Sequence, residues 1–162
     1  MSDELVRWTA RLAVACYLAR LLMDVAFPSS PRRNHIARWV WTTGCVLLLV
    51  HFAAVFQYVH HWSFAAAWDH TRQRTLALTG WDSGDGIYAN YAIAGWWVVD
   101  VLLWWRDERW PRQGWAYWPM QVYFAFLMFN ATVVFGPGWW MVAAAVFGVI
   151  FAALWVFRSR AV

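Results

Sequence analysis

The chain contains no lysine, and charged residues of all kinds are scarce. Its thirteen basic residues are all arginine, and only 14% of the chain is charged, against about 25% in soluble domains. Hydrophobic residues make up 62%, where about 45–50% is usual. This balance favours an integral membrane protein. The net charge of +4 does not indicate nucleic-acid binding, because the arginines lie between apolar runs instead of forming one basic surface.

Cysteine is also rare, and the common catalytic and metal-binding motifs are missing. Cys16 and Cys45 stand alone inside apolar segments, without CxxC or zinc spacing, so we interpret them as small buried hydrophobes. The chain has no HExxH, no Gly-Lys-Ser/Thr phosphate loop and no evident Ser-His-Asp arrangement. The segment GWDSGDGIYANY, residues 80–91, lacks the full ligand array and closing Glu of a calcium loop. We interpret it as a structured turn that leads into a helix.

Five long apolar runs are present instead, each close to the ~20 residues that a membrane-spanning helix needs. They cover residues 5–27, 36–59, 86–105, 115–135 and 138–157. The first run is the weakest, because it contains the charged residues Arg7, Arg11, Arg20 and Asp24. We interpret it as a retained span and not a cleaved signal peptide, because its start is acidic and no small-residue cleavage site precedes a mature domain.

The longest connection, residues 60–85, predicts one more short helix. Ser63 is a good N-cap and Gly80 a good C-terminal stop, and apolar residues recur at helical spacing between them. We expect this helix, over residues 64–78, to lie in the membrane interface with its apolar side towards the lipid. The sequence therefore predicts an all-α polytopic membrane helix bundle. It is a single domain over residues 1–162 with about five transmembrane helices and one short interfacial helix.

Tryptophan and arginine indicate how the bundle sits in the cell membrane. Eleven of the sixteen tryptophans fall near the ends of predicted spans, as in the aromatic belt of membrane proteins. Eight arginines share the side of the first loop, the third loop and the C-terminus, against four on the other side; the eight are Arg32, Arg33, Arg38, Arg106, Arg109, Arg112, Arg158 and Arg160. Because cytoplasmic loops carry the excess of positive charge, we expect the N-terminus outside the cytoplasm and the C-terminus inside. The two ends of the bundle are named outer and inner accordingly.

Charged residues near the inner end form the first candidate site. Arg20 and Asp24 are four residues apart on one helix face, and Asp100 lies somewhat deeper on the third span. With Arg38 and Gln121 in the same layer, they predict a structural cluster that holds the first and third spans together, because an arginine is available to neutralise the acids. The alternative is a proton or ion step through Asp100.

Mostly uncharged polar residues form a second candidate site, in a layer towards the outer end. The layer consists of His51, Asn90, Asn130, Gln57, Tyr58 and Tyr91. We predict interhelical hydrogen bonds among them, with His51 and Asn130 at similar depth. The alternative makes His51 a metal or haem ligand, but no other predicted span carries a histidine at similar depth for bis-His haem.

Histidines near the outer surface form a third candidate site. His60 and His61 follow the second span, and Asp69 and His70 lie on the interfacial helix. Three histidines and a carboxylate suit zinc, copper or iron if this helix folds back, although the spacing matches no known signature. The alternative places the histidines at the interface, where they reach water, with Asp69 paired to Arg72.

These patterns support three functional hypotheses. The leading one is a small membrane component without catalysis of its own, which contacts the lipid bilayer and other membrane subunits or further copies of itself. The second is a membrane metalloprotein, redox or hydrolytic, with its metal site on the extracytoplasmic side. The third is a proton-coupled transporter or channel that uses Asp100 and Asp24. Short loops, many aromatic residues and polar clusters that can neutralise themselves favour the first.

Overall fold

The structure is all-helical, as the sequence predicts. The computed structural model describes residues 2–110, 114–134 and 136–159, and the regular elements among them are helices. Numbered in chain order, they are α1 Ser2–Ala26, α2 Pro31–Tyr58, α3 Phe64–Thr79, α4 Gly86–Arg106, α5 Gly114–Phe129 and α6 Trp139–Ser159. A π-helical turn, Asn130–Val134, continues α5. Arg112 and Arg160, which enter the topology argument, lie outside the described residues.

Three of these helices are long and apolar enough to cross a membrane, fewer than the five spans predicted. They are Pro31–Tyr58, Gly86–Arg106 and Trp139–Phe157. α1 has 25 residues, but its charged side chains dilute its apolar surface. α5 ends after 16 residues, where the backbone changes to the π-helical turn. The all-helical class is therefore confirmed, while α1 and α5 depart from the composition or length of a simple span.

Local sequence determines where α2 begins and where α3 begins and ends. Ser30 precedes α2, and its Oγ accepts a hydrogen bond from the Arg33 backbone N–H at 3.2 Å. Ser63 caps α3 in the same way, with Oγ 3.2 Å from the backbone nitrogen of Ala66. These bonds satisfy donors that the first turn of a helix leaves free. Gly80 ends α3 with a φ of 75°, a left-handed conformation that favours glycine. The predicted N-cap and stop of α3 are confirmed.

An aromatic core joins four of the helices. Tyr17 of α1, Trp41 of α2, Trp97 of α4 and Phe124 of α5 are its largest fully buried side chains. The ring centre of Trp41 lies 4.6 Å from that of Trp97 and 5.5 Å from that of Phe124. Aromatic pairs at such separations contribute about 0.5–1.5 kcal/mol each beyond the area that they bury. The core therefore fixes how α1, α2, α4 and α5 lie against one another.

Gly44 lets α2 approach α1 and α4 closely. A Cβ atom at this position would lie 2.8 Å from Cζ2 of Trp97 and 2.9 Å from Cβ of Cys16. Carbon atoms in good contact are about 3.5–4.0 Å apart, so a side chain here would push the helices away from each other. Gly95 of α4 is the opposite case, because a Cβ atom there would meet nothing within 4 Å.

The substitution Gly44→Ala should destabilise the fold, whereas Gly95→Ala should not. We expect Gly44→Ala to lower the free energy of unfolding by about 1–3 kcal/mol, the usual cost of overpacking. Gly95→Ala is the matched control, since it adds the same methyl group to a helix without a clash. It should leave stability unchanged or raise it by up to about 1 kcal/mol. Thermal unfolding in one mild detergent measures the difference, and equal midpoints would contradict the close packing at Gly44.

Candidate functional site

Asp100 is the centre of a group of charged residues at the inner end of the bundle. α4 holds its side chain in the interior, where it is 5% exposed. Trp41 Nε1 of α2 donates a hydrogen bond of 2.7 Å to Oδ2. Trp110 Nε1, from the segment after α4, donates a bond of 2.7 Å to Oδ1. Each carboxylate oxygen therefore has an N–H donor, which offsets part of the cost of burying a charge.

Arg20 of α1 lies beside Asp100 and is itself buried. It forms an ion pair with Asp24, one helical turn further along α1. Its guanidinium carbon lies 4.7 Å from the centre of the Trp104 ring, within the range of a cation–π interaction. Arg20 also interacts electrostatically with Asp100. The arginine therefore connects α1 to α4 through the Trp104 ring.

Asp24 connects α1 to two further helices. Its Oδ1 accepts a hydrogen bond from Arg33 Nη1 of α2 at 2.7 Å. Its Oδ2 accepts a hydrogen bond from Tyr117 Oη of α5 at 3.0 Å. A second link between α1 and α5 lies deeper, where Tyr17 Oη donates to the backbone carbonyl of Gln121 at 3.4 Å. α5 is thus attached to α1 by hydrogen bonds as well as by packing.

Arg38 adds a last pair at the edge of this group. Its Nη2 lies 3.4 Å from Glu108 Oε1, and its guanidinium carbon lies 4.2 Å from the centre of the Trp105 ring. Positive and negative side chains are therefore present in equal number. We call these residues the inner cluster: Arg20, Arg33, Arg38, Asp24, Asp100 and Glu108.

A cavity of about 510 Å³ lies beside the inner cluster, among α1, α5 and α6. Its polar end is lined by Arg20, Asp24, Arg33, Tyr117 and Gln121. Its deeper walls are apolar and include Val122, Ala125, Phe147 and Phe151. Arg20 Nε and Gln121 Oε1 are buried and have no hydrogen-bond partner. A buried polar atom without a partner costs free energy, so the polar end holds unused hydrogen-bonding capacity.

The second candidate site, near the outer end, is dispersed over several helices. His51 of α2 lies against α1, where its Nδ1 donates to the backbone carbonyl of Val6 at 3.0 Å. Thr9 Oγ1 lies 3.4 Å from the same nitrogen. Asn130 Nδ2 donates to a carbonyl oxygen one turn earlier in its own helix, at 2.7 Å, and Asn90 is exposed. His51 therefore links α2 to α1, which is an interhelical bond of the predicted kind with a different partner.

The third candidate site brings two of its three histidines together. The ring centres of His60 and His70 lie 5.4 Å apart in an edge-to-face arrangement. His61 lies in the turn before α3 with a φ of 48°. Asp69 Oδ1 accepts a hydrogen bond from Arg72 Nε at 3.0 Å, the pairing expected if these residues lie at the interface. Within residues 2–110, 114–134 and 136–159, no group of three His, Cys, Asp or Glu side chains could hold a metal ion.

The sequence places Arg20, Asp24 and Asp100 in one layer but does not reveal four of their hydrogen-bond partners: Arg33, Trp41, Trp110 and Tyr117. From the sequence alone, Arg33 counts only among the arginines of the first loop, and Tyr117 and Trp110 have no assigned role. Arg33 and Tyr117 carry a polar group near the inner end, the level of Asp24, and that is the one sequence signal that could have identified them. Comparisons of the chain with protein-family models, with curated proteins and with solved structures found no match.

Asp100→Asn should destabilise the bundle, because an amide cannot accept from both indoles. Its NH2 group would face one indole N–H, and that donor would be left buried without an acceptor. We expect the free energy of unfolding to fall by about 1.5–3 kcal/mol, the range for hydrogen bonds to charged groups. Glu108→Gln is the matched control, since the Glu108 side chain is 80% exposed; it should change stability by less than about 1 kcal/mol. Similar losses in both variants, measured by thermal unfolding, would refute the central role of Asp100.

Because of His60, we expect the stability of the folded protein to fall at acidic pH. Burial lowers the pKa of His60, and the neighbouring His70 and His61 lower it further. The folded state therefore disfavours the proton, and the stability from neutral His60 is complete above the unfolded pKa of about 6.5 and is lost as the pH falls below it. We expect the unfolding midpoint to drop between pH 8 and pH 5, and His60→Gln to reduce that drop. His35→Gln, at an exposed site, is the control; an unchanged drop in His60→Gln would rule the residue out.

Proposed function

We propose that the chain is an integral membrane protein that crosses the bilayer five times, through α1, α2, α4, α5 and α6. The three long apolar helices support this placement. Two charged side chains of α1, Arg11 and Arg20, also have partners within the structure. Arg11 packs over the rings of Trp8 and Trp139 near the outer end, and Arg20 pairs with Asp24 near the inner end. α5 has 16 residues and the π-helical turn adds 5. Their combined length matches the ~20 residues that a helix needs to cross a membrane.

In this arrangement α3 lies along the outer surface, with the N-terminus outside the cytoplasm and the C-terminus inside. The amphipathic character of α3 supports its interfacial position. Phe64 and Leu78 are exposed apolar residues on one face of this helix, while Arg72, on another face, forms hydrogen bonds with Asp69 and Asp82. Such a helix can turn its apolar side chains to lipid and its ion pairs to water. The excess of arginine at the other end supports the orientation.

We further propose that the protein has no catalysis of its own and acts as a component of a membrane assembly, through helix contacts of α6. The observation that carries this proposal is the surface of α6. Residues 139–157, the described side chains of this apolar helix, include no buried residue. Gly148 is exposed, and a Cβ atom there would meet nothing within 4 Å. Ala145 and Ala152 lie on the same face, three and four residues from Gly148.

Small residues on one face of a membrane helix let another helix approach closely, so that backbone atoms pack against each other. We call Ala145, Gly148 and Ala152 the small-residue face. A face of this kind supports association with a further membrane helix, either from a second copy of the chain or from another subunit. A second copy of the chain is the first partner to test.

The geometry gives less support to the two other hypotheses. Proton transfer needs an acid that can release and regain a proton along a path accessible to water. Asp100 instead accepts two indole hydrogen bonds, and Asp24 accepts hydrogen bonds from Arg33 and Tyr117. These partners favour a structural role for the acids as links between helices. The metal site has less support because Asp69, one of the four proposed ligands, already forms an ion pair with Arg72.

Gly148→Ile should weaken the assembly, because its branched side chain would keep a second helix away from the small-residue face. Ala153→Ile is the comparison variant, since it places the same side chain ~140° around α6 from Gly148, at an exposed position. We expect Gly148→Ile to weaken association at least about tenfold, equivalent to about 1.4 kcal/mol, and Ala153→Ile to leave it unchanged. Chemical cross-linking in native membranes and light scattering in mild detergent measure the association.

Two results would count against the proposal. If the unmodified chain is monomeric in both measurements and no stable partner co-purifies with it, the assembly role is wrong. If both isoleucine variants weaken association equally, the contact does not involve the small-residue face.

A further inference from the structure

The cavity beside the inner cluster has the polarity of a site for an amphiphilic molecule. Arg20, Asp24 and Tyr117 lie at its inner end, and Ala125 and Phe147 lie deeper in the bundle. From Tyr117 to Ala125, α5 rises about 12 Å, at ~1.5 Å per residue. The hydrogen-bonding groups therefore lie nearest the membrane surface, and the apolar walls extend towards the bilayer centre. A lipid-like molecule in the inner leaflet has the same order of head and chain.

The cavity opens sideways, between α5 and α6. α6 packs against α1 and against the π-helical turn. Lining residues on the two flanking helices remain exposed, with Val122 at 68% and Trp155 at 51% exposure. In the five-span arrangement that we propose, on which this inference depends, such an opening faces lipid. A ligand would then enter from the bilayer, which favours a molecule with a hydrocarbon chain.

The charges at the polar end favour a head group without net charge. Arg20 and Arg33 already pair with Asp24, and Asp100 supplies a second negative charge near Arg20. Glu108, which also lines the cavity, pairs with Arg38. An added anion or cation would bring an uncompensated charge into a poorly solvated site, which is costly. The buried lining atoms without a hydrogen-bond partner include a donor, Arg20 Nε, and an acceptor, Gln121 Oε1.

We propose that this cavity binds an amphiphile with a single hydrocarbon chain and an uncharged, hydroxyl-bearing head. A hydroxyl group can accept a hydrogen bond from an N–H donor and donate its own proton to an amide oxygen, so one head group serves both Arg20 and Gln121. The chain packs along Val122, Ala125 and Phe147. The volume of about 510 Å³ lies within the about 300–1,000 Å³ that is usual for small-molecule sites.

Photolabelling with three probes tests the head-group preference. The probes share one hydrocarbon chain, which carries a diazirine near its end, and differ in the head: a glycerol ester, a carboxylate and a trimethylammonium group. The full-length protein in lipid nanodiscs at pH 8 is irradiated with each probe, and the labelled peptides are identified by mass spectrometry. We expect the glycerol ester to label peptides of α5 and α6 about tenfold more than either charged probe, the scale of one or two hydrogen bonds.

Two substitutions test the location of the site. Ala125→Phe fills the apolar part of the cavity without changing the inner cluster, and it should abolish most of the labelling. Ala153→Phe adds the same ring on the opposite face of α6 and should leave the labelling unchanged. Gln121→Leu keeps the approximate volume but removes the acceptor, so it should reduce the preference for the glycerol ester. Circular dichroism and gel filtration identify any variant that fails to fold, and Gln121→Leu then tests the proposal without added bulk.

Several results would overturn the proposal. Equal labelling by the three probes would indicate general contact with lipid, and stronger labelling by the carboxylate would indicate an anion site at the arginines. Labelling that survives Ala125→Phe would place the amphiphile elsewhere. Carbonate extraction of membranes tests the membrane placement separately: if the chain is released into the soluble fraction, the proposed function fails at that step, whatever the probes show.

Discussion

The buried carboxylate of Asp100 is the constraint on which the rest of the bundle depends. A charge in this position costs several kcal/mol unless N–H donors surround it, and Trp41 and Trp110 supply those donors. Trp41 is also a central member of the aromatic core, against Trp97 and Phe124. The packing of four helices and the solvation of one charge therefore use the same indole ring. Any change that moves the core also changes the hydrogen bonds of the acid.

The helices were predictable from the sequence because their signals are local. Apolar runs of sufficient length predicted the helical class, and Ser63 and Gly80 marked both ends of α3. The depth of a residue along a predicted span can also be read from the sequence, because it follows from residue number and helical rise. On this basis Arg20, Asp24 and Asp100 fall in one layer. The direction in which a side chain points around the helix axis depends on how helices pack. His51 shows the difference: it lies at the expected depth but faces Val6 of α1.

Features that need two or more elements at once could not be read from the sequence. Trp110 reaches Asp100 because the segment after α4 folds back over the bundle, and no periodicity reports such a return. The cavity depends on a gap that α5 and α6 leave beside α1. The number of spans was also affected, because the change from α5 to a π-helical turn shortens a run that looks continuous in the sequence.

In the five-span arrangement proposed above, the ion pairs of Asp24 also bear on how the chain would enter a membrane during synthesis. Arg20, Asp24 and Arg33 belong to α1 and the first turn of α2, so both arginines have an acidic partner before any later helix is made. Chains fold from the N-terminus as they are synthesised. In the five-span arrangement, α1 and α2 can therefore leave the insertion machinery as a pair, with Trp41 in place when Asp100 arrives. In that arrangement α1 alone would expose the Arg20–Asp24 pair to lipid, whereas the hairpin places a second arginine, Arg33, against Asp24.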